Sequence, residues 1–159
     1  MHHHAIAVVI ANPLDDSLIF AVRRPYDDVD LPGIWGLPAT AMKQGESALT
    51  AATRIATLKL GGKMTLGVML AEGTQEWTTQ CLVMSLYAGT IGSSLPELPN
   101  PTMKADGVTY YISWKWVPIE SLVEGARMGS LCRQLALKKQ LEGKCVATNG
   151  TTCACPVLP

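Results

Sequence analysis

The stretch Ser47-Ala-Leu-Thr-Ala-Ala-Thr-Arg-Ile-Ala-Thr-Leu-Lys-Leu60 constrains the fold more than any other part of the chain. Its residues favour helix, Ser47 is placed to cap the start, and Gly61-Gly62 is placed to end it. Ala48, Ala51, Ala52, Ile55 and Leu58 recur at helical spacing, so this helix presents one apolar stripe that must be covered. The flanking segments read as strands. Ala5–Ala11 is a β-branched apolar run, Asn12–Asp16 carries turn chemistry, and Leu18–Val22 returns, which predicts a hairpin. Arg23-Arg24-Pro25 ends that strand, an acidic loop follows, and Ile34–Leu37 is a short apolar stretch stopped by Pro38. Beyond the helix, Met64–Ala71 and Trp77–Tyr87 read as strands joined by a turn at Glu72-Gly73-Thr74. Gly89–Gly107 reads as a long loop, Val108–Val117 as a strand, and Leu131–Leu141 as a second helix. The order predicts an α+β fold, a mixed β-sheet flanked by helices in an α/β/α sandwich.

A chain of 159 residues with 48% apolar content has material for one buried core. The expected organisation is one domain over residues 5–142. Residues 1–4, with histidines at 2–4, are set aside as a tag or disordered N-terminus, and residues 143–159 as a flexible cysteine-containing tail. Thirteen basic and thirteen acidic side chains cancel, which argues against general nucleic-acid binding and a membrane-surface role. No apolar run approaches the roughly 20 residues of a transmembrane helix. Cys81 and Cys132 sit in apolar segments as buried thiols. Cys145, Cys153 and Cys155 have spacing that matches no common zinc site, and a reduced tail points to a cytoplasmic location.

The segment from Gly33 to Arg54, Gly-Ile-Trp-Gly-Leu-Pro-Ala-Thr-Ala-Met-Lys-Gln-Gly-Glu-Ser-Ala-Leu-Thr-Ala-Ala-Thr-Arg, closely resembles the Nudix hydrolase family. Members show a Trp-x-Leu-Pro segment, a Gly-Glu-Ser or Gly-Glu-Thr turn, and a helix with Ala-Ala-x-Arg-Glu. Laid over this chain without a gap, the family's box runs from Thr40 to Gly62. Leu18–Arg24 and Trp116-Val-Pro-Ile-Glu-Ser-Leu122 resemble further family segments in the right order. The resemblance implies an α/β/α sandwich, magnesium-dependent hydrolysis of nucleoside diphosphates linked to another group, and often a homodimer.

The departures bear on function. Glu46, Arg54 and Gly61 stand where the box expects them, but Thr40 replaces its first glycine. Ile55 stands where a Glu follows the Arg, and Leu58 and Lys59 where a Glu-Glu pair would be. Positions i, i+3 and i+4 of a helix share one face, so carboxylates at 55, 58 and 59 would converge on a point. Magnesium needs oxygen ligands; two aliphatic side chains and an ammonium offer none. The carbonyl of Ala39 and Glu46 alone make a poor site, and no metal is expected there.

Three functions follow from this pattern. The first is an eroded family member that binds a nucleotide-like or phosphorylated small molecule with little or no pyrophosphohydrolase activity. The second is an active, magnesium-dependent enzyme whose metal ligands come from loop acids such as Asp27, Asp28, Asp30, Glu97, Asp106 or Glu120. The third is a non-catalytic structural or oligomerisation module. Glu46 and Arg54 are the family-matching residues, read chiefly as a salt bridge. Arg23, Trp35 and Lys59 are the candidates for touching substrate: a guanidinium for phosphate, an indole for a base, and an ammonium in place of the metal. At most one of Arg23 and Arg24 lines a pocket, since alternation sends them to opposite faces. Trp77, Trp114 and Trp116 read as core.

Overall fold

A computed structural model describes residues 2–92, 96–99 and 110–147. Among the described residues, seven strands run in chain order: β1 (His2–Ile10), β2 (Leu18–Arg23), β3 (Trp35–Gly36), β4 (Ala39–Ala41), β5 (Met64–Trp77), β6 (Gln80–Ile91) and β7 (Ser113–Pro118). The helices are α1 (Ala48–Arg54), which continues as a π-helical turn over Ile55–Lys59, then α2 (Val123–Arg127) and α3 (Leu131–Ala147). A four-stranded mixed sheet has the order β4-β1-β6-β5, with β1 and β6 parallel; an antiparallel sheet has the order β3-β2-β7. This is the α+β arrangement expected from the order of elements.

Alternation along β1 and β2 builds the two cores. Ile6, Val8 and Ile10 join Phe20 and Val22 beneath Ala51, Ala52 and Ile55 of the α1 segment. The intervening Ala5, Ala7, Ile19 and Ala21 pack instead with Leu122 and with Cys132 and Ala136 of α3. A strand covered on both faces reads as a continuous apolar run, which is why β1 shows no polar alternation. Phe20 is fully buried, stacked on Trp114 at 5.2 Å and edge-on to Trp116 at 5.5 Å; burying a side chain of that size contributes about 1.5–3 kcal/mol.

Several expectations need correcting. β1 and β2 do not form a hairpin. They belong to different sheets and are joined by no ladder, only by an isolated bridge between Ala11, just past β1, and Ile19, because β1 takes β6 and β4 as neighbours. His2–His4, set aside as an appendage, extend β1 along Cys81–Val83. Glu72–Thr74 is not a turn: β5 runs through it, and Gly73 admits the methyl groups of Leu135 against the sheet. The reversal comes at Thr78-Thr79. α3 continues past Leu141 to Ala147, into the segment assigned to the tail. Cys132 is buried as expected, while Cys81 is half-buried. Asp106, Cys153 and Cys155, and the side chain of Cys145, lie outside the described residues. No helix among the described residues is long and apolar enough to cross a membrane.

Candidate functional site

The Gly-Glu-Ser turn and the start of α1 are held by one guanidinium. Ser47 accepts the amide of Thr50 as N-cap. Arg54, at the end of α1, donates through Nε and Nη2 to the two oxygens of Glu46 at 3.1 and 2.8 Å. Its remaining donors reach Thr40 Oγ1 at 3.0 Å and the carbonyl of Ala41 at 2.8 Å. Glu46 also accepts the amide of Lys43 at 2.8 Å. The Arg54 hydrogen bonds and then the Lys43 amide hold the Glu46 carboxyl down to about 2. Both groups of this pair are engaged with protein, so they act as a strap tying strand β4 to the helix.

Past Arg54 the helix widens. The amide of Leu60 bonds the carbonyl of Ile55, the five-residue spacing of a π-turn, which often marks a functional site, and the amide of Gly62 closes the segment on the carbonyl of Ala56. Gly61 then takes φ +65°, where a Cβ would also run into the Glu97 carbonyl. The expected convergence of positions 55, 58 and 59 therefore fails. Ile55 is fully buried in the core, Leu58 is 42% exposed beside a shallow hollow with Leu49 and Thr53, and Lys59 alone turns toward the cleft. The apolar stripe is corrected likewise, with Ala56 buried in place of Leu58.

Lys59 is only 7% exposed. Its Nζ donates to the carbonyl of Ala39 at 2.7 Å and lies 5.2 Å from the centre of the Tyr111 ring. The hydroxyl of Tyr111 in turn donates to the Ala39 carbonyl at 3.2 Å and accepts the Ala39 amide at 3.0 Å. Burial, then the charges of Arg24 and Arg54, push the Lys59 ammonium down to about 8; burial pushes the Tyr111 hydroxyl up to about 12. The residues of this turn do not fit a divalent cation. They supply no oxygen, and an ammonium already occupies the one carbonyl that would. Among the described residues, no group of three or more His, Cys, Asp or Glu gathers to hold a metal.

Lys59 opens on a cleft of about 650 Å³, a size suited to a small molecule. Its walls come from the loop after β2 (Arg24, Asp30, Leu31), from the β3–β4 segment, from β5 and β6 (Gln75, Trp77, Met84), and from the turn into α3 (Gly129 to Arg133). Among the described residues the only ion pairs are Arg54–Glu46 and Arg24–Asp28, the latter at 2.7 Å. Lys59 and Arg133, both buried, have no carboxylate partner among them.

The structure separates the residues expected to touch substrate. Lys59 lines the cleft, but Arg23 and Trp35 do not. Arg23 is held by the Gly33 carbonyl at 2.9 Å and by the rings of Tyr26 and Trp35, while Trp35 is in contact with both Arg23 and Lys115. Arg24 is the strand-end arginine that reaches the cleft, and Trp77, 53% exposed, is the tryptophan that lines it. Of the loop acids, Asp28 is spent on Arg24 and on the amides of Asp30 and Leu31, Asp30 lines the cleft, and Asp27, Glu97 and Glu120 are exposed. Sequence reasoning passed over Tyr111 and Arg133. The legible signal for Arg133 was a basic residue in the first turn of a helix, the wrong end for its charge.

No protein-family model matches the sequence, and no curated protein matches it. Solved structures do resemble it. The MutT protein of Methanosarcina mazei Go1 is 17% identical, with 90% of this chain and 96% of that one covered and a TM-score of 0.67. A NUDIX hydrolase from Nitrosomonas europaea is 16% identical, with 91% of each chain covered and a TM-score of 0.65. An Ap4A hydrolase of C. elegans is 14% identical, with 89% and 98% covered and a TM-score of 0.58. The fold that the Gly33–Arg54 segment pointed to is the fold of the chain.

Proposed function

We propose that this Nudix-fold chain binds a phosphorylated, nucleotide-like small molecule in the cleft without a divalent cation, and hydrolyses pyrophosphates little or not at all. The observation that carries the reading is the ammonium of Lys59 on the Ala39 carbonyl. A buried cation with no carboxylate beside it is costly unless an anion arrives to compensate it. At about 4 Å and an effective dielectric near 20, one charge pair is worth roughly 4 kcal/mol, so a phosphoryl group placed there gains much of what a metal bridge would otherwise supply. Arg24 lines the same cleft and adds a fork suited to phosphate oxygens. The likeness to an Ap4A hydrolase favours a nucleotide-like ligand over other phosphate esters.

The test is a thermal-shift series with AMP, ADP and ATP, run in EDTA and in magnesium. The reading expects a rise in Tm of the same size in both buffers, absent from Lys59→Met. A rise that requires the metal, or magnesium- or manganese-driven release of phosphate or nucleoside monophosphate at ordinary enzyme rates, overturns it in favour of relocated metal ligands. No response to any nucleotide, with a concentration-dependent dimer, overturns it in favour of a structural module.

A further inference from the structure

Arg133 lines the same cleft and has no role described so far. It is 3% exposed, and among the described residues its one hydrogen bond runs from Nε to the carbonyl of Trp35 at 3.0 Å. Its guanidinium lies between Gly36 and Gly125, and a Cβ at either position would collide with it, so two glycines leave it room. Burial works against its charged form, yet a guanidinium does not give up its proton in a protein. The dipole of α3, a helix of 17 residues, adds to the cost, because Arg133 sits in the first turn, where no acidic residue offsets it. A local rule broken this thoroughly, with a space kept open for the offender, marks a functional position.

Ser130, Leu131 and Cys132 line the cleft beside it, so α3 begins at the cleft wall. The amides of a helix's first turn lack intrahelical acceptors and favour anions. The Lys59 corner is a different place. Lys59 comes from the α1 side of the sheets and anchors on Ala39, whereas Arg133 comes from the α3 side and anchors on Trp35. Two buried cations brought into one cleft from opposite faces, neither in a salt bridge among the described residues and sharing only the more distant charge of Asp28, leave room for two negative groups.

We propose that the cleft has a second anion subsite, formed by Arg133 and the first turn of α3, so that its ligand carries two separate phosphoryl groups. The proposal rests on the reading that the cleft binds phosphorylated nucleotides, and the experiment separates the two. AMP and adenosine 3′,5′-bisphosphate are titrated calorimetrically, in EDTA, into the wild-type chain, Arg133→Gln and Ser130→Asp. Ser130 directly precedes α3 and its hydroxyl meets only the Cys132 sulfur among the described residues; Asp is as well suited as Ser to a position before a helix, so S130D places a carboxylate in the subsite at little cost to the fold, which covers the case of R133Q failing to fold. The bisphosphate is expected to bind the wild type at least tenfold tighter than AMP. In the variants that advantage is expected to vanish, with AMP affinity unchanged within about threefold. A merely structural Arg133 would weaken both ligands alike and leave their ratio intact. Equal affinity of the two ligands for the wild type, or an advantage that survives in folded S130D, overturns the second subsite while leaving the first reading standing. If neither ligand binds, both fall.

Discussion

The two halves of one helical segment carry the same kind of charge in opposite conditions. At the end of α1, Arg54 has a carboxylate, a hydroxyl and a carbonyl around it, and every nitrogen of its guanidinium donates a hydrogen bond. One turn later, Lys59 is more deeply buried and has one carbonyl and one aromatic face. A cation compensated from within the protein builds structure. A cation left uncompensated costs stability and is explained by something that binds. On the proposed reading the first half is scaffolding and the second recognition, and each can be tested by removing the charge.

The largest effect is expected at the strap. Arg54→Ala leaves Glu46 with a single amide and unties β4 from the helix, a loss of about 2–4 kcal/mol by the general cost of breaking a poorly solvated pair. Urea unfolding should show it as a lower midpoint with an unchanged slope. Arg54→Lys should recover only part, since a single ammonium cannot hold both oxygens of Glu46 and the Ala41 carbonyl together. A loss below about 0.5 kcal/mol, the usual range for a surface change, would mean the pair is incidental.

How far the sequence made this contrast legible depends on the range of the interactions. The cap at Ser47, the stop at Gly61 and the Glu46–Arg54 pair are local, and they are found where spacing and resemblance put them. The apolar runs of β1 and β2 were legible as strands, but their partners were not, because a run of β-branched residues does not say which strand lies beside it. Ile55 and Leu58 diverge from Lys59 because the chain slips into a π-turn, which regular helical periodicity cannot anticipate. Arg133 was out of reach for another reason. Its acceptor, Trp35, is 98 residues away in sequence, and the space around it is made by glycines that look like ordinary loop punctuation.

Removing the other charge should have the opposite sign. Lys59→Met keeps a flexible side chain of similar length and takes away a buried ammonium, and the Ala39 carbonyl retains the Tyr111 hydroxyl as a donor. Replacing buried charge by apolar atoms is often stabilising, and a gain of about 1–2 kcal/mol is expected here, or a few degrees in Tm for a chain of this size. The same variant should lose nucleotide binding, the trade of function for stability seen where a site is built from strained or uncompensated groups. A destabilised Lys59→Met would show that the ammonium serves the fold after all, and the contrast with Arg54 would collapse.

The smallest effect is the pH response, and it distinguishes the two halves without any mutation. Glu46 has a folded-state pKa near 2, below its ordinary 4.5, so the strap contributes fully above pH 4.5 and fades as pH falls toward 2. Lys59 has a folded-state pKa near 8, below its ordinary 10.5. Between those values the unfolded chain holds the extra proton, so stability should rise as pH increases, by about 1 kcal/mol from pH 8 to 9. Above pH 10 Tyr111, raised to about 12, holds a proton that the unfolded chain has lost, and reverses the trend. Ligand affinity should move against stability, falling about tenfold between pH 7 and 9 as the ammonium is lost. Binding near pH 8 should also take up protons, because a phosphoryl group restores the charge on Lys59; calorimetry in buffers of different ionisation enthalpy measures that uptake. Affinity that is flat from pH 7 to 9, with no proton uptake, would place the ligand's anionic group somewhere other than Lys59.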